Sequence, residues 1–446
     1  MSRTVTRRCF LKSATALAAP LILPASAIGR ARLAPSERVN VGLVGCGERG
    51  MQVAKDFLKD ARVQILAVCD VHDRHYRERE WGKGNELGRE PGRQAIESHY
   101  AATTPSGSYR GCRAYSDFRE VCDRTDLDAI LVATPDHWHA LVALTALQKG
   151  KDVYCEKPVT HFFAEGERLV CEVAERKAIF QVGSQQRSEP EFRHAVELVR
   201  NGHLGTIQRV EVGLNTGYDK PMGDPTVTSP PAGLDYDFWC GPAPVLPYMR
   251  ARHHRWWRGH RAYGGGVVMD WMGHHNDIAM WALGTERTGP LRVETVVWSR
   301  PSTDVYNTPV NYTIRSQYAG NVVVEISSQH KTGTKFIGTN GWLFVNRGKL
   351  EASEARWLKP DFDRGSWRAY FSSGHAANFI DGVLTRQECV APAEIAHRSV
   401  TPGHLAYVSN QVGRALSWDS ARGEIVNDVD AQKLLTALPY RDPWRL

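Results

Sequence analysis

The segment GGGVVMDWMGHHNDIAMWALG, residues 264–284, gathers Asp270, His274, His275 and Asp277 within eight residues of an otherwise apolar run. These residue types move protons or ligate metals, whereas an ordinary surface helix carries Lys, Glu and Arg outward. Read as a helix, the segment puts Asp270, His274 and Asp277 (i, i+4, i+7) on one face and turns His275 about a quarter-circle away. Three readings follow from the residues alone: a catalytic face with His274 as a general base, a metal site, or a buried helix whose polar groups are internally satisfied.

A second chemical feature stands near the start. VNVGLVGCGERGMQVAKDFL has an apolar run, Val39 to Val44, then Gly45, Gly47 and Gly50 in GxGxxG spacing, then helical spacing of Met51, Ala54, Phe57 and Leu58. Such a loop admits a pyrophosphate against backbone N–H groups at a helix N-terminus. Cys46, Glu48 and Arg49 fill the loop. Asp70, at the end of the next apolar run and 20 residues after Gly50, has the placement of an acid that binds the adenosine ribose. An acid there repels a 2′-phosphate, which favours NAD; His72 and Arg74 nearby leave NADP open. Thr134 and Pro135 follow a further strand beginning at Ala129 and are expected at the cofactor, with His137 and His139 as cleft candidates.

The elements that must position these groups fall into two blocks. Strand and helix patterns alternate up to Pro158, which implies a parallel doubly wound sheet over residues 38–158. Residues 159–446 read as an α+β domain: helices near 163–177 and 190–201, then the strand-like runs LRVETVVWSR, VNYTIRSQY, NVVVEISSQH and GWLFVNRGKLEA without helices between them, an open and predominantly antiparallel sheet. Helices near 373–386 and 403–416 close the chain. Residues 217–266 form a Pro/Gly/aromatic-rich stretch too long for an idle loop.

At YCEKPVT, residues 154–160, the sequence resembles the Gfo/Idh/MocA family of oxidoreductases, and the resemblance extends from residue 38 to the end through TPDHWH, EKP and the 264–284 segment. It implies a Rossmann domain, a sheet domain carrying substrate and a dimer or tetramer interface, and hydride transfer between NAD(P) and a secondary hydroxyl of a sugar, sugar derivative or cyclitol. The family's lysine maps onto Lys157, beside Glu156. Its Asp and His map onto Asp270 and His274, with Asp270 orienting the imidazole, and Asp277 is implied at a substrate hydroxyl. An ammonium at that hydroxyl stabilises the alkoxide that develops as hydride leaves. This chemistry needs no metal, so the donors His253, His254 and His260 are not read as ligands. Gln186 at the cofactor and Arg187, His254 and Trp257 at the substrate complete the expected site, with His375 and Asn378 as weaker candidates. Some relatives cleave glycosides through transient oxidation and elimination, and these tend to lack the EKP lysine; a catalytically silent cofactor-binding protein is the third reading.

The first 29 residues contain Arg3, Arg7, Arg8 and Lys12 and no acid. TRRCFLK followed by a short apolar run and small residues resembles a twin-arginine export signal, implying that export machinery as a partner and a periplasmic or otherwise exported destination, or a membrane anchor if uncleaved. Without these four charges the formal net charge of +7 falls to +3, too little for a nucleic-acid surface. Export of a folded protein implies a cofactor bound tightly enough to travel with it. Nine cysteines occur without any CxxC, and their apolar neighbours imply buried thiols rather than a zinc framework.

Overall fold

The computed structural model describes residues 37–76 and 83–446. The expected export signal lies outside these residues. Residues 39–446 form one compact unit.

The first sheet is parallel throughout, with strands β1 (Val39–Val44), β2 (Val63–Cys69), β3 (Arg113–Tyr115), β4 (Ala129–Val132), β5 (Asp152–Cys155) and β6 (Phe180–Val182) in the order β3-β2-β1-β4-β5-β6. β4 and β5 are buried along their whole length, as helices on both faces of a parallel sheet require. Helices α1 (Glu48–Phe57), α2 (Arg89–Ala101), α3 (Asp136–Gln148) and α4 (Phe163–Arg176) make the connections. The sheet continues past Pro158 into β6, so the break expected after residue 158 falls inside it.

After helix α5 (Pro190–Arg200) the second sheet begins. Its strands are β7 (Ile207–Gly213), β8 (Arg292–Trp298), β9 (Tyr312–Gln317), β10 (Val323–Ser327), β11 (Gly333–Gly338), β12 (Gly341–Asn346), β13 (Lys349–Ala352), β14 (Leu416–Asp419) and β15 (Glu424–Ile425), ordered β13-β12-β11-β7-β10-β9-β8-β14-β15. Only the β7–β10 pair is parallel; the long excursion that follows β7 and two further strands separate the pair, so no hairpin dictates an antiparallel pairing. The sequence reading missed β11: GTKFIG is short and glycine-bounded, and reads as a turn until β7 and β12 pair with it.

Helix α6 (Gly266–Leu283) lies between this sheet and helix α8 (Ala393–Val412), which explains its apolar character all round. Gly284 in the left-handed conformation (φ 73°) ends it. α8 begins ten residues before the expected 403, with Pro402 inside it. Helix α7 (His375–Thr385) returns to the first sheet, where Phe379 packs edge-on against Phe57 and Tyr154, each with ring centroids 5.9 Å apart. One apolar core runs from β4 and β5 through α6 and α8 into the second sheet.

The position of α6 is further fixed by a buried ion pair. Arg187, in the turn after β6, donates from Nε and Nη2 to both carboxylate oxygens of Asp277 at 2.6 and 2.8 Å, and both side chains are 2% exposed. Trp281, one turn on, lies under the guanidinium with Cζ 4.8 Å from the ring centroid. The expected substrate contacts from Arg187 and Asp277 are therefore corrected: the two groups satisfy each other. Replacing Asp277 by Ala leaves a buried guanidinium unpaired and is expected to destabilise the protein by about 3–5 kcal/mol, measured by equilibrium denaturant unfolding. Asp277→Leu combined with Arg187→Met is expected to cost far less.

Candidate active site

A cleft of about 540 Å³ lies at the carboxyl ends of β1, β2, β4 and β5, the edge where an open parallel sheet binds its ligand. Gly45, Gly47, Glu48, Arg49, Asp70, Thr134, Pro135, His139, Glu156 and Lys157 line it, with Asp270, His254 and Trp257 from the second half of the chain.

The glycine loop is shaped for a dinucleotide. Gly45 has φ 97°, and a Cβ there would meet the Ala133 carbonyl. A Cβ on Gly50 would overlap the Gly45 carbonyl oxygen, so Gly50 serves the packing of α1 on β1 and does not line the cleft. Gly47 faces open space, with nothing within 4 Å of where its Cβ would stand. Cys46 contributes only its backbone: its N–H donates to Asp70 Oδ2 at 2.8 Å while its side chain is buried. Asp70 Oδ1 accepts the His72 N–H at 3.0 Å. Burial pushes the Asp70 carboxyl up, and these two N–H groups pull it back. Each oxygen keeps a lone pair for a ribose hydroxyl. Thr134 Oγ1 and Glu156 Oε2 are buried polar atoms with no partner among the described residues, as expected of groups shaped to meet a ligand. The residues present thus fit a nicotinamide dinucleotide.

At the far end of the cleft, Lys157 Nζ donates to Asp270 Oδ1 at 2.7 Å and to the Asp270 carbonyl at 2.9 Å. Arg258 Nε lies 3.2 Å from the same Oδ1. Burial alone would raise the Asp270 carboxyl, but Lys157 and Arg258 outweigh it and hold it down at about 2. The orientation of His274 by Asp270 is corrected accordingly: cations from two other segments take the carboxylate. His274 lies outside the cleft lining, 3% exposed, its Nε2 3.2 Å from Arg347 Nη2 and its Nδ1 without a partner among the described residues. Burial, Lys157 and Arg347 push its pKa well down. His275, set aside by helical spacing, stacks on Trp271.

Other candidates have structural roles. His139 lines the cleft with both ring nitrogens on main-chain carbonyls, Pro158 at 2.7 Å and Thr134 at 2.9 Å. His137 lies between the Tyr263 and Trp239 carbonyls. Gln186 is fully buried and outside the cleft; its neighbour Gln185 donates to Glu156 Oε1 at 3.1 Å, while Arg49 forms an ion pair with the same oxygen at 2.8 Å. His375 bonds the Val182 carbonyl and Ser188, and Asn378 bonds Tyr370 and the Val390 N–H.

The stretch 217–263 folds back across the cleft. It meets the loop after β2 through the His72–Leu234 bridge, Asp73 N–H to the Gly233 carbonyl at 3.2 Å, and Arg250 Nη2 to the Tyr76 carbonyl at 2.7 Å. His254 stacks on His75 with centroids 3.8 Å apart, and its Nε2 is 3.3 Å from His72 Nδ1. Burial pushes all four imidazoles of His72, His75, His253 and His254 well down, so they pack as neutral rings. They stack rather than converge, and no group of three or more metal-ligating side chains has metal-binding geometry among the described residues. Sequence reading missed Arg258, Tyr218, Phe238, Trp239 and Trp271 as cleft residues, along with Asp136 from the TPDHWH segment.

Together these features define a parallel-sheet cleft with the shape of a dinucleotide site. Residues 39–184 match the oxidoreductase family model for the NAD-binding Rossmann fold, and residues 189–446 match its C-terminal alpha/beta domain. The chain belongs to the Gfo/Idh/MocA oxidoreductase family. It is similar to an uncharacterized oxidoreductase, YrbE, of Bacillus subtilis (strain 168), 22% identical over 57% of this chain and 56% of that protein. Inositol 2-dehydrogenase 4 of Saccharopolyspora erythraea is 35% identical over 24% of this chain and 31% of its own. A glycosyl hydrolase family 109 protein of Shewanella sp. (strain ANA-3) is 28% identical over 38% and 37%. The matched segments thus span roughly half or less of these curated relatives. Among solved structures, GenD2 from gentamicin A biosynthesis in complex with NAD superposes with a TM-score of 0.60 at 19% identity, covering 87% of this chain and 98% of that one. The WlbA dehydrogenase of Bordetella pertussis, in complex with NADH and UDP-GlcNAcA, gives 0.60 at 18%, covering 85% and 99%.

Because a methyl group on Gly47 would stand in open cleft rather than against protein, Gly47→Ala is expected to leave thermal unfolding nearly unchanged. It should weaken NAD binding by about tenfold or more, a cost of about 1.4 kcal/mol, read by fluorescence titration with the dinucleotide.

Proposed function

We propose that this chain is an NAD-dependent oxidoreductase that transfers hydride between nicotinamide and a secondary hydroxyl of a sugar, sugar derivative or cyclitol. The observation that carries the reading is Lys157. Two of its three N–H groups are fixed on Asp270, which leaves the third for an oxygen in the cleft. An ammonium so held stabilises negative charge on the reacting oxygen without reorganising. Asp270, kept ionised, aims the lysine, and Arg258 balances its charge. The dinucleotide, when bound along the glycine loop, supplies the hydride acceptor. Trp257, Trp271 and Tyr218 offer ring faces of the kind that suit a sugar. Asp70 favours NAD over NADP: Arg74 is engaged with Glu86 at 2.7 Å, and the buried His72 ring lies among the other imidazoles.

We further propose export by the twin-arginine route with NAD already bound, and retention of that NAD through a ping-pong cycle in which a second substrate regenerates it. The segment 217–263 supports this, since it is hydrogen-bonded to the loop after β2 and to α3 across the cleft. Assembly as a dimer or tetramer completes the proposal. A second reading, redox-assisted glycoside cleavage, is favoured by the similarity to a glycosyl hydrolase family 109 protein.

NAD is expected to copurify and to survive simple dialysis, checked by mass spectrometry; loss on dialysis would make the cycle untenable. A panel of sugars and cyclitols, followed by nicotinamide absorbance, should identify a substrate. Release of aglycone from a glycoside without accumulation of NADH would instead establish the second reading. Lys157→Ala is expected to lower kcat by about 10²–10³-fold while NAD still binds, and unchanged turnover would remove Lys157 from the reaction.

A further inference from the structure

Four cations line the cleft: Arg49, Lys157, Arg255 and Arg258. Three of them are matched inside the protein. Arg49 pairs with Glu156 at 2.8 Å, and Lys157 and Arg258 share the Asp270 carboxylate. The histidines of the lining, His75, His139 and His254, add no charge, because burial pushes each imidazole down. Arg255 differs from the other three cations. Among the described residues it has no ion pair and no side-chain hydrogen bond, and its guanidinium lies over the Trp256 ring with Cζ 4.6 Å from the centroid. Such stacking occupies one face of the guanidinium and leaves its in-plane N–H fork open. A half-buried guanidinium on a cleft, without a carboxylate beside it, is suited to an anion that enters with a ligand.

The position of Arg255 selects among anions. It belongs to the helical turn His254–Gly259, part of the segment that walls the cleft. At one end of this turn His254 Nε2 lies 3.3 Å from His72 Nδ1, and the His72 N–H binds Asp70, the acid placed for the adenosine ribose. At the other end Arg258 lies 3.2 Å from the carboxylate that holds Lys157. Arg255 follows His254, and its carbonyl accepts from Arg258 Nη1 at 3.5 Å, so it stands between the two ends. In a dinucleotide laid along the cleft, the pyrophosphate stands between the adenosine ribose and the nicotinamide end. The glycine loop faces it from the first sheet with the N-terminus of α1 and open space at Gly47. Yet the cation of that loop, Arg49, is taken by Glu156, and Glu48 beside it is an acid. Backbone N–H groups and the partial charge of a helix end neutralise two phosphate charges only in part.

We infer that Arg255 binds the pyrophosphate of the dinucleotide from the wall opposite the glycine loop, an inference that rests on the dinucleotide reading above. The phosphates are then held from both halves of the chain. Arg255 gains a counter-ion only with the dinucleotide in place, so release costs the guanidinium its partner and retention is favoured.

The test is Arg255→Gln, which keeps a long polar side chain over Trp256 and removes the charge. After removal of any copurified nucleotide, fluorescence titration compares the variant with the unaltered protein for NAD, NADP, ADP and adenosine. Affinity for NAD and for ADP, which carries the diphosphate without nicotinamide, is expected to fall about 10–100-fold. Affinity for adenosine should change by less than about twofold, since it has no phosphate to lose, and thermal unfolding without nucleotide should stay the same. Arg255→Lys, which restores the charge without the planar fork, should recover part of the ADP affinity. NAD loaded into the Gln variant should also leave faster on chasing with excess unlabelled nucleotide. Unchanged affinity for NAD and ADP would overturn the proposal, as would an equal loss for adenosine, which would make Arg255 a structural part of the wall. A loss confined to NADP would assign the guanidinium to a 2′-phosphate. Intact nucleotide binding with a raised KM for acidic sugars alone would assign it to the substrate, and either outcome also overturns the proposal. If the unaltered protein binds none of these nucleotides, the dinucleotide reading itself fails and takes this inference with it, an outcome visible before any variant is made.

Discussion

The Asp270 carboxylate, held between Lys157 and Arg258, is the interaction on which the architecture of the site depends. It joins three segments far apart in sequence: the turn after β5, the segment crossing the cleft, and the first turns of α6. A buried carboxylate is stable only if its charge is matched nearby. The match consumes one carboxylate and most of the hydrogen-bonding capacity of one lysine. What remains is a single N–H of Lys157 facing the cleft, and a neighbouring carboxyl on Asp136 without an ion-pair partner among the described residues. The same match withdraws Asp270 from His274 on its own helix. A three-centre charge cluster is a stronger claim on a carboxylate than one imidazole, whose charged form is itself disfavoured by burial and by the adjacent cations.

The segment 217–263 gives the cleft its second wall. Its contacts are with the loop after β2 and with α3, so the two halves of the chain meet across the ligand site as well as through the core beneath it. Much of this wall is aromatic, with Trp239, Trp257 and Tyr263 forming a small apolar cluster of their own. Stacked neutral imidazoles extend it where a charged side chain would have to be solvated. The proposed retention of a dinucleotide rests on this segment, which is hydrogen-bonded to its surroundings at several points.

Family membership and chemistry bear on each other here in a limited way. The solved structures share the fold at under 20% identity, and a fold hosts many reactions. The glycine loop, the lysine on its carboxylate and the ring faces nearby are the features of this chain on which the proposed oxidation or reduction at a hydroxyl-bearing carbon rests.

Local patterns in the sequence determined the parallel sheet, the glycine loop, the acid after β2, the length of α6 and the quarter-turn that separates His275 from Asp270, His274 and Asp277. Each depends on periodicity or on spacing within some thirty residues, where backbone geometry leaves few choices. Partner choice was decided by the tertiary structure. Arg187 with Asp277, Lys157 and Arg258 with Asp270, and Gly265 with Asp136 lie 90, 113, 12 and 129 residues apart. Helical spacing correctly placed Asp270, His274 and Asp277 on one face, but a shared face does not say which neighbour neutralises which charge. That is settled by which cations the folded chain brings within hydrogen-bonding distance, and by how completely burial removes the water that would otherwise compete. The GTKFIG strand and the wall over the cleft were hidden for the same reason: each is stabilised by groups the local sequence does not contain.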